Sequence, residues 1–257
     1  TELRMSAYVC GSNAGSSLRC PRMCSAPARD AVEEPYPVIT ITLPDGSTRS
    51  HPEGVTGAAI AADISEGLAR RAVAVKVNGT IQDLCRPIDT DAEVTILSAR
   101  DDDIDSLYVI RHSCAHVMAE AVQRLYPGTK LVYGPPLTED AKYGFYYDVD
   151  CPEAITIEDL PRIEATMKEI VKEDRPFVRR EMNREDAFAY LQGDPYKTDN
   201  VTNADGDVIS FYTQGEVGSD FEDLCMGPHV PSTGWVKHFK LQSVAGSYWK
   251  GDESLGS

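Results

Sequence analysis

Hydrophobic and polar residues alternate with period two in several short stretches of the first hundred residues, and with a period near 3.6 in longer stretches beyond. Val38-Ile39-Thr40-Ile41-Thr42-Leu43 alternates β-branched residues as a strand does, and Pro44-Asp45-Gly46-Ser47 supplies turn chemistry. Thr48 to His51 returns as the second strand of a hairpin. Thr56 to Ile64 is alanine-rich and begins at a threonine able to cap a helix. Ala72 to Val77 reads as a third strand closed by the turn pair Asn78-Gly79, and Ile81 to Leu84 and Glu93 to Leu97 provide two more. Further on, Ser106 to Tyr126 places Leu107, Ile110, Cys114, Val117, Met118, Ala121, Val122 and Leu125 on one broad helical face. Thr156 to Glu173 and Asn183 to Leu191 predict two more helices, the first opening at Thr156 with Glu158 and Asp159 behind it. Leu131 to Gly134, Gly144 to Tyr147, Val208 to Thr213, Trp235 to His238 and Leu241 to Ser243 read as strands.

These elements divide the chain. The order ββαβββ over residues 36–99 is the β-grasp, ubiquitin-like pattern, with a core near the smallest that stands alone. Asp101, Asp102, Asp103 and Asp105 predict a solvated acidic linker over 100–105. A larger α+β domain follows over 106–252, and 253–257 reads as a truncated end. The fold class expected is therefore α+β. Residues 1–35 carry Gly, Ser, Ala and Pro without a sustained period and are predicted to be a disordered leader. Arg4, Arg19, Arg22 and Arg29 among serines overlap in composition with an organellar transit peptide. An unstructured extension, or an over-long start with Met5 as initiator, is the blander alternative.

Composition narrows the function classes. A formal net charge of -16 argues against a free-standing nucleic-acid binder, because phosphate recognition needs clustered Lys and Arg. The chain contains no apolar run of transmembrane length, so no membrane partner is expected. Seven scattered cysteines, an odd number, predict reduced thiols in a cytosolic protein rather than a disulfide framework. Cys20 and Cys24 have no second pair at metal-binding spacing and read as ordinary tail cysteines.

Candidate chemistry lies in the second domain. His112 and His116 stand four apart on the first long helix and project from one face; Cys225 and His229 repeat the step much later. Three explanations compete on spacing: pairs that never meet, a tetrahedral zinc held by three imidazoles and a thiolate, or a metal-free hydrolytic cleft that orients a water and an ester. His51 and His238 default to surface roles, and the patch of Lys237, His238 and Lys240 suits either RNA or a solvated strand edge.

The wider order of motifs bears on the choice. Arg111-His112-Ser113-Cys114-Ala115-His116, Gly144-Phe145-Tyr146-Tyr147-Asp148, Tyr196-Lys197, Asp223-Leu224-Cys225-Met226-Gly227-Pro228-His229, Phe239-Lys240-Leu241 and Gly246-Ser247-Tyr248-Trp249-Lys250-Gly251-Asp252 follow one another. This succession resembles the editing domain of threonyl-tRNA synthetases, shared in outline with alanyl-tRNA synthetases. Leu43-Pro44-Asp45-Gly46 and Val77-Asn78-Gly79 resemble the TGS β-grasp module that opens bacterial-type threonyl enzymes. The resemblance spans roughly residues 36 to 252 and implies hydrolysis of serine wrongly esterified to the threonine tRNA. Serine differs from threonine by one methyl group, worth only about 1–3 kcal/mol in a pocket, so a second, smaller sieve is needed.

The resemblance implies that His112, His116, Lys197, Cys225 and His229 form the catalytic site, with Tyr147 and Asp223 binding substrate. His112 would position or activate water, and Lys197 would orient a second water or stabilise the oxyanion. Asp223 would hold the serine ammonium and Tyr147 would donate to the ribose or ester. Cys225 and His229 would limit side-chain size, with a covalent Cys225 nucleophile as the alternative. The resemblance implies no cofactor; a zinc, if bound, would sit on His112, His116, Cys225 and His229. The implied partners are the 3′ end of the threonine tRNA carrying serine and the remainder of a synthetase, dimeric when whole, in the cytoplasm. The pattern departs in two places. Thr138 to Lys142 lengthens a loop, and no synthetic or anticodon-binding domain follows Asp252, so ATP-dependent aminoacylation is not expected. The rivals are a free-standing deacylase acting in trans and a non-catalytic binding module.

Overall fold

The computed structural model describes residues 2–9, 37–99, 103–137 and 144–246. Its first strand, β1 (Glu2–Val9), lies where a disordered leader is expected, and that expectation fails for these residues. Leu3, Met5, Ala7 and Val9 are buried in alternation while Arg4 faces out and forms an ion pair with Asp148 at 2.7 Å. The strand signal is a period-two run of eight residues beside a long Gly/Ser-rich stretch whose composition masks it. Burial of Met5 in this strand gives it a packing role. The rest of the expected leader, the loop from Thr138 to Lys142 and the motif from Ser247 to Asp252 lie outside the described residues.

The β-grasp module comprises β2 (Val38–Thr42), β3 (Thr48–Pro52), β4 (Val55–Thr56), α1 (Gly57–Ile64), α2 (Glu66–Ala69), β5 (Ala72–Val77), β6 (Thr80–Gln82), β7 (Pro87–Ile88) and β8 (Ala92–Ser98). Its five-stranded sheet has the order β3-β2-β8-β5-β6, with β2 and β8 parallel and the other pairs antiparallel. Thr56 caps α1 by accepting the Ala59 N–H, as its sequence predicts. Ile39, Ile41, Ile60, Ala61, Val75, Leu84 and Val94 fill the core.

The second domain is built on α3 (Ile104–Leu125). Asp103 caps it, Asp105 lies in its first turn, and the Asp105 carboxylate pairs with Lys76 of β5. The acidic stretch expected to be only a solvated linker over 100–105 therefore contains the start of this helix, where carboxylates complement the free N–H groups. The helix is buried on nearly every side between Ser106 and Val122, rather than along one face. Val73, Ala74 and Leu97 of the β-grasp module join the same core as α3, and β1, β10 and α4 cover the rest. A helix packed all round stands at the centre of a fold.

Around it come β9 (Lys130–Tyr133), β10 (Phe145–Asp150), α4 (Leu160–Glu173), β11 (Phe177–Asn183), α5 (Arg184–Tyr190), α6 (Pro195–Asn203), β12 (Val208–Gln214), β13 (Glu222–Leu224) and β14 (Phe239–Gly246). One sheet has the order β14-β1-β10-β9 and another β11-β12-β13. The sequence reading omits β11, β13 and α6. Trp235 to His238, expected as a strand, instead ends a 3-10 turn over Thr233–Trp235 and leads into β14.

Candidate functional site

Helical geometry sets the first half of the site. His112 and His116 stand one turn apart on the buried α3, with ring centroids 5.3 Å from each other. The second half is the segment after β13, in which Cys225 and His229 approach the same face. Cys225 Sγ lies 3.1 Å from His112 Nε2 and 3.3 Å from His229 Nε2, and it accepts the Gly227 N–H at 3.2 Å. His229 is 4.4 Å from His112 and 4.3 Å from His116 between ring centroids, and the Phe177 ring stacks on its other face. The two pairs do meet.

A second group adjoins them. Lys197 of α6 and Asp223 of β13 are both buried, and Lys197 Nζ lies 2.5 Å from Asp223 Oδ1. The Tyr147 hydroxyl donates to Asp223 Oδ2 from β10. A Cβ on Gly134 would stand 2.3 Å from Cδ2 of the Tyr147 ring, so a glycine there lets the ring lie flat on the backbone. Tyr147 is expected to donate to the ribose or the ester. In this geometry its proton is committed to Asp223.

The protonation states follow from burial. Desolvation is the largest influence on all three imidazoles. It lowers His112 to about 3, with His116 adding repulsion, lowers His116 to about 4, and holds His229 well below the ordinary value. Burial pushes the Cys225 thiol up. Burial, the largest single influence, also pushes the Asp223 carboxyl up, but the Lys197 ammonium, His116 and the bond from Tyr147 together outweigh it, and the net shift is downward. Near neutrality the site therefore holds three neutral imidazoles, a thiol and one compensated ion pair. A thiol that keeps its proton is a poor nucleophile.

Ser113, which the sequence reading leaves unused, fixes one tautomer. Its Oγ donates to the Val109 carbonyl at 2.8 Å and accepts the Val230 N–H at 3.0 Å. A hydroxyl has one proton and two lone pairs, so the 3.0 Å contact with His229 Nδ1 requires that nitrogen to be the donor. Nε2 of His229 then carries a bare lone pair toward Cys225. The only advance signal is the position of Ser113 between the two histidines of the motif.

His112, His116, Cys225 and His229 can also hold a metal, since their donor atoms all lie within 4.8 Å of one another. Three imidazoles and a sulfur suit zinc in kind, and the lone pair on His229 Nε2 points the right way. In a tetrahedral zinc site the sulfur-to-nitrogen edges would be about 3.6 Å, so the 3.1 and 3.3 Å separations would have to widen by a few tenths of an ångström. Outside the cluster, His51 lies 3.9 Å from Asp63, His238 is exposed, and Lys240 pairs with Glu164. No helix among the described residues is long and apolar enough to cross a membrane.

Comparison with known proteins locates both domains. The TGS domain matches residues 39–98, and the Threonyl and Alanyl tRNA synthetase second additional domain matches residues 209–255. A threonine–tRNA ligase of Desulfosudis oleivorans is 48% identical over 217 residues, covering 84% of this chain and 32% of that protein. Those of Anoxybacillus flavithermus and Rhodospirillum rubrum are 48% and 49% identical over 218 and 219 residues, again covering 84% of this chain and 32% of each relative. The chain spans about a third of the length of the curated relatives it matches.

Proposed function

We propose, for a chain that belongs with the amino-terminal region of threonyl-tRNA synthetases, that the buried cluster hydrolyses the ester between serine and the threonine tRNA. One observation carries the reading: side chains from α3, β10, α6, β13 and the Cys225–His229 segment, far apart in sequence, converge in one place. A binding module has no need of three neutral imidazoles, a thiol and a buried ion pair, each of which costs desolvation.

Water adds to the ester carbonyl carbon, and the tetrahedral centre then expels the terminal ribose oxygen, which leaves with a proton. Serine and free tRNA result. A neutral His112 accepts a hydrogen bond from the water and aims it, a positioning role that suits an imidazole of such low basicity. Lys197, paired with Asp223, stabilises the developing oxyanion. Asp223, oriented by Tyr147, shares its charge with the substrate ammonium. Cys225 and His229 bound the space into which a threonine methyl would have to fit. This chemistry invokes no resident metal. The RNA partner is the acceptor end of the tRNA, held weakly by this chain because of its acidic balance.

The test incubates the purified chain with seryl- and threonyl-tRNA of the threonine acceptor and follows ester loss. His112→Ala and Cys225→Ala run beside it, with and without a chelator. Selective loss of the seryl ester, slowed at least about a hundred-fold by His112→Ala and indifferent to chelator, is the expected result. Equal loss of both esters would sink the sieve, and chelator sensitivity would transfer the four donors to a metal.

A further inference from the structure

Asp83 is the buried charged residue of the β-grasp module, and both its carboxylate oxygens face the other domain. Oδ1 accepts the backbone N–H of His229 at 2.7 Å, and Oδ2 accepts the hydroxyl of Tyr212 at 2.7 Å. Tyr212 lies on β12 with its ring edge-on to the His229 imidazole, centroids 4.6 Å apart. The same hydroxyl closes on Gly227, where a Cβ would stand 2.1 Å from it and where φ is +72°. The segment bearing Cys225 and His229 is thus held from behind by one carboxylate of another module and by the phenol that the carboxylate orients.

Packing does not do this work alone. Asp83 and His229 both line a cavity of about 720 Å³ between the two modules, together with Phe177, Arg179 and Trp235. Ring contacts hold the buried His229 side chain, and on the side of the segment that faces this space directional bonds set where its backbone sits. We infer that Asp83 is a positioning residue for the hydrolytic site: its two hydrogen bonds fix the loop that presents Cys225 and His229, so the β-grasp module completes a site it does not line with a catalytic group. The inference rests on the hydrolytic reading of that site.

Two readouts separate the inference from that reading. Ring-nitrogen NMR of the histidines reports site geometry whether or not the chain turns over, and deacylation of seryl-tRNA reports kcat and KM. Asp83→Ala removes both bonds. It should shift the His229 ring signals away from a single Nδ1–H tautomer and lower kcat at least about ten-fold, with KM little changed, as expected for sub-ångström misplacement. Asp83→Asn keeps an oxygen for the His229 N–H and an amide that can donate to the Tyr212 oxygen, and should return both readouts to near wild type. Lys76→Ala breaks a different bond across the same interface and should move neither. Unchanged His229 signals and kcat in Asp83→Ala would overturn the inference, as would an equal loss in Lys76→Ala. Should Asp83→Ala fail to fold, Tyr212→Phe carries the test, and unchanged ring signals and kcat there would overturn it equally. Shifted ring signals in Asp83→Ala, beside a wild-type chain that hydrolyses nothing, would uphold the latch and remove the hydrolytic reading instead.

Discussion

The β-grasp module and the domain behind it differ most in what they place inside. Between residues 37 and 99 the buried side chains are aliphatic, with Asp83 the sole buried polar residue described there, and even that one faces outward to its neighbour. The second domain buries His112, His116, His229, Lys197, Asp223, Glu120 and Arg111 along with its aliphatic core. An apolar interior is cheap to build and tolerant of repacking. A polar interior costs desolvation at every group and holds only while each charge keeps its partner. The first region is organised for stability, and the second keeps a polar cluster at a cost in stability.

Acid should separate the two most sharply. His112 and His116 have folded values near 3 and 4, and His229 is lowered as well. Below about pH 6.5 the unfolded chain takes up protons that the folded site refuses, so stability falls as pH drops from about 6.5 toward 3. The loss should reach several kcal/mol in order of magnitude and belong to the second domain, as read by chemical denaturation across that range with chelator present. Unfolding of both regions together, with no slope in that window, would break the contrast.

Lys197→Met comes next. It strands Asp223 as an uncompensated buried carboxylate and should cost about 3–5 kcal/mol, seen as a lowered denaturation midpoint that recovers in Lys197→Met with Asp223→Asn. Ile41→Ala is the counterpart in the apolar core. It should cost about 2–5 kcal/mol through transfer and cavity terms while leaving the histidine ring spectrum unchanged at temperatures where the chain stays folded. Ser113→Ala should have the smallest effect, about 1–3 kcal/mol, and should release His229 from its single tautomer, which ring-nitrogen NMR reads directly.

The same contrast decides what could be read from the chain. Ala72 to Val77 and the Thr56 cap were legible because strand alternation and capping are local. The pairs His112–His116 and Cys225–His229 were legible as two helical-step spacings, and the order of motifs joined them to Tyr147, Lys197 and Asp223. β1 was hidden by the Gly/Ser-rich composition of its neighbouring stretch. β11 was missed because Phe177-Val178-Arg179-Arg180-Glu181-Met182-Asn183 carries charge in mid-strand, where Arg180 is neutralised by Glu222 across the sheet. Ser113 has only its place between the two histidines to announce it, and Asp83 has nothing local, because their importance lies in partners 116 and 146 residues away.

That last separation has a consequence for synthesis. All five strands of the Asp83 module's sheet lie between residues 38 and 98, so it can close while His229, 146 positions beyond Asp83, has yet to be made. At ordinary elongation speeds the wait from Ser98 to His229 is about 7–26 s. Through that interval the finished module offers a preformed carboxylate to water, and the later loop arrives to find its docking point already in place. The earlier-made module acts as a template on which the later segment is cast.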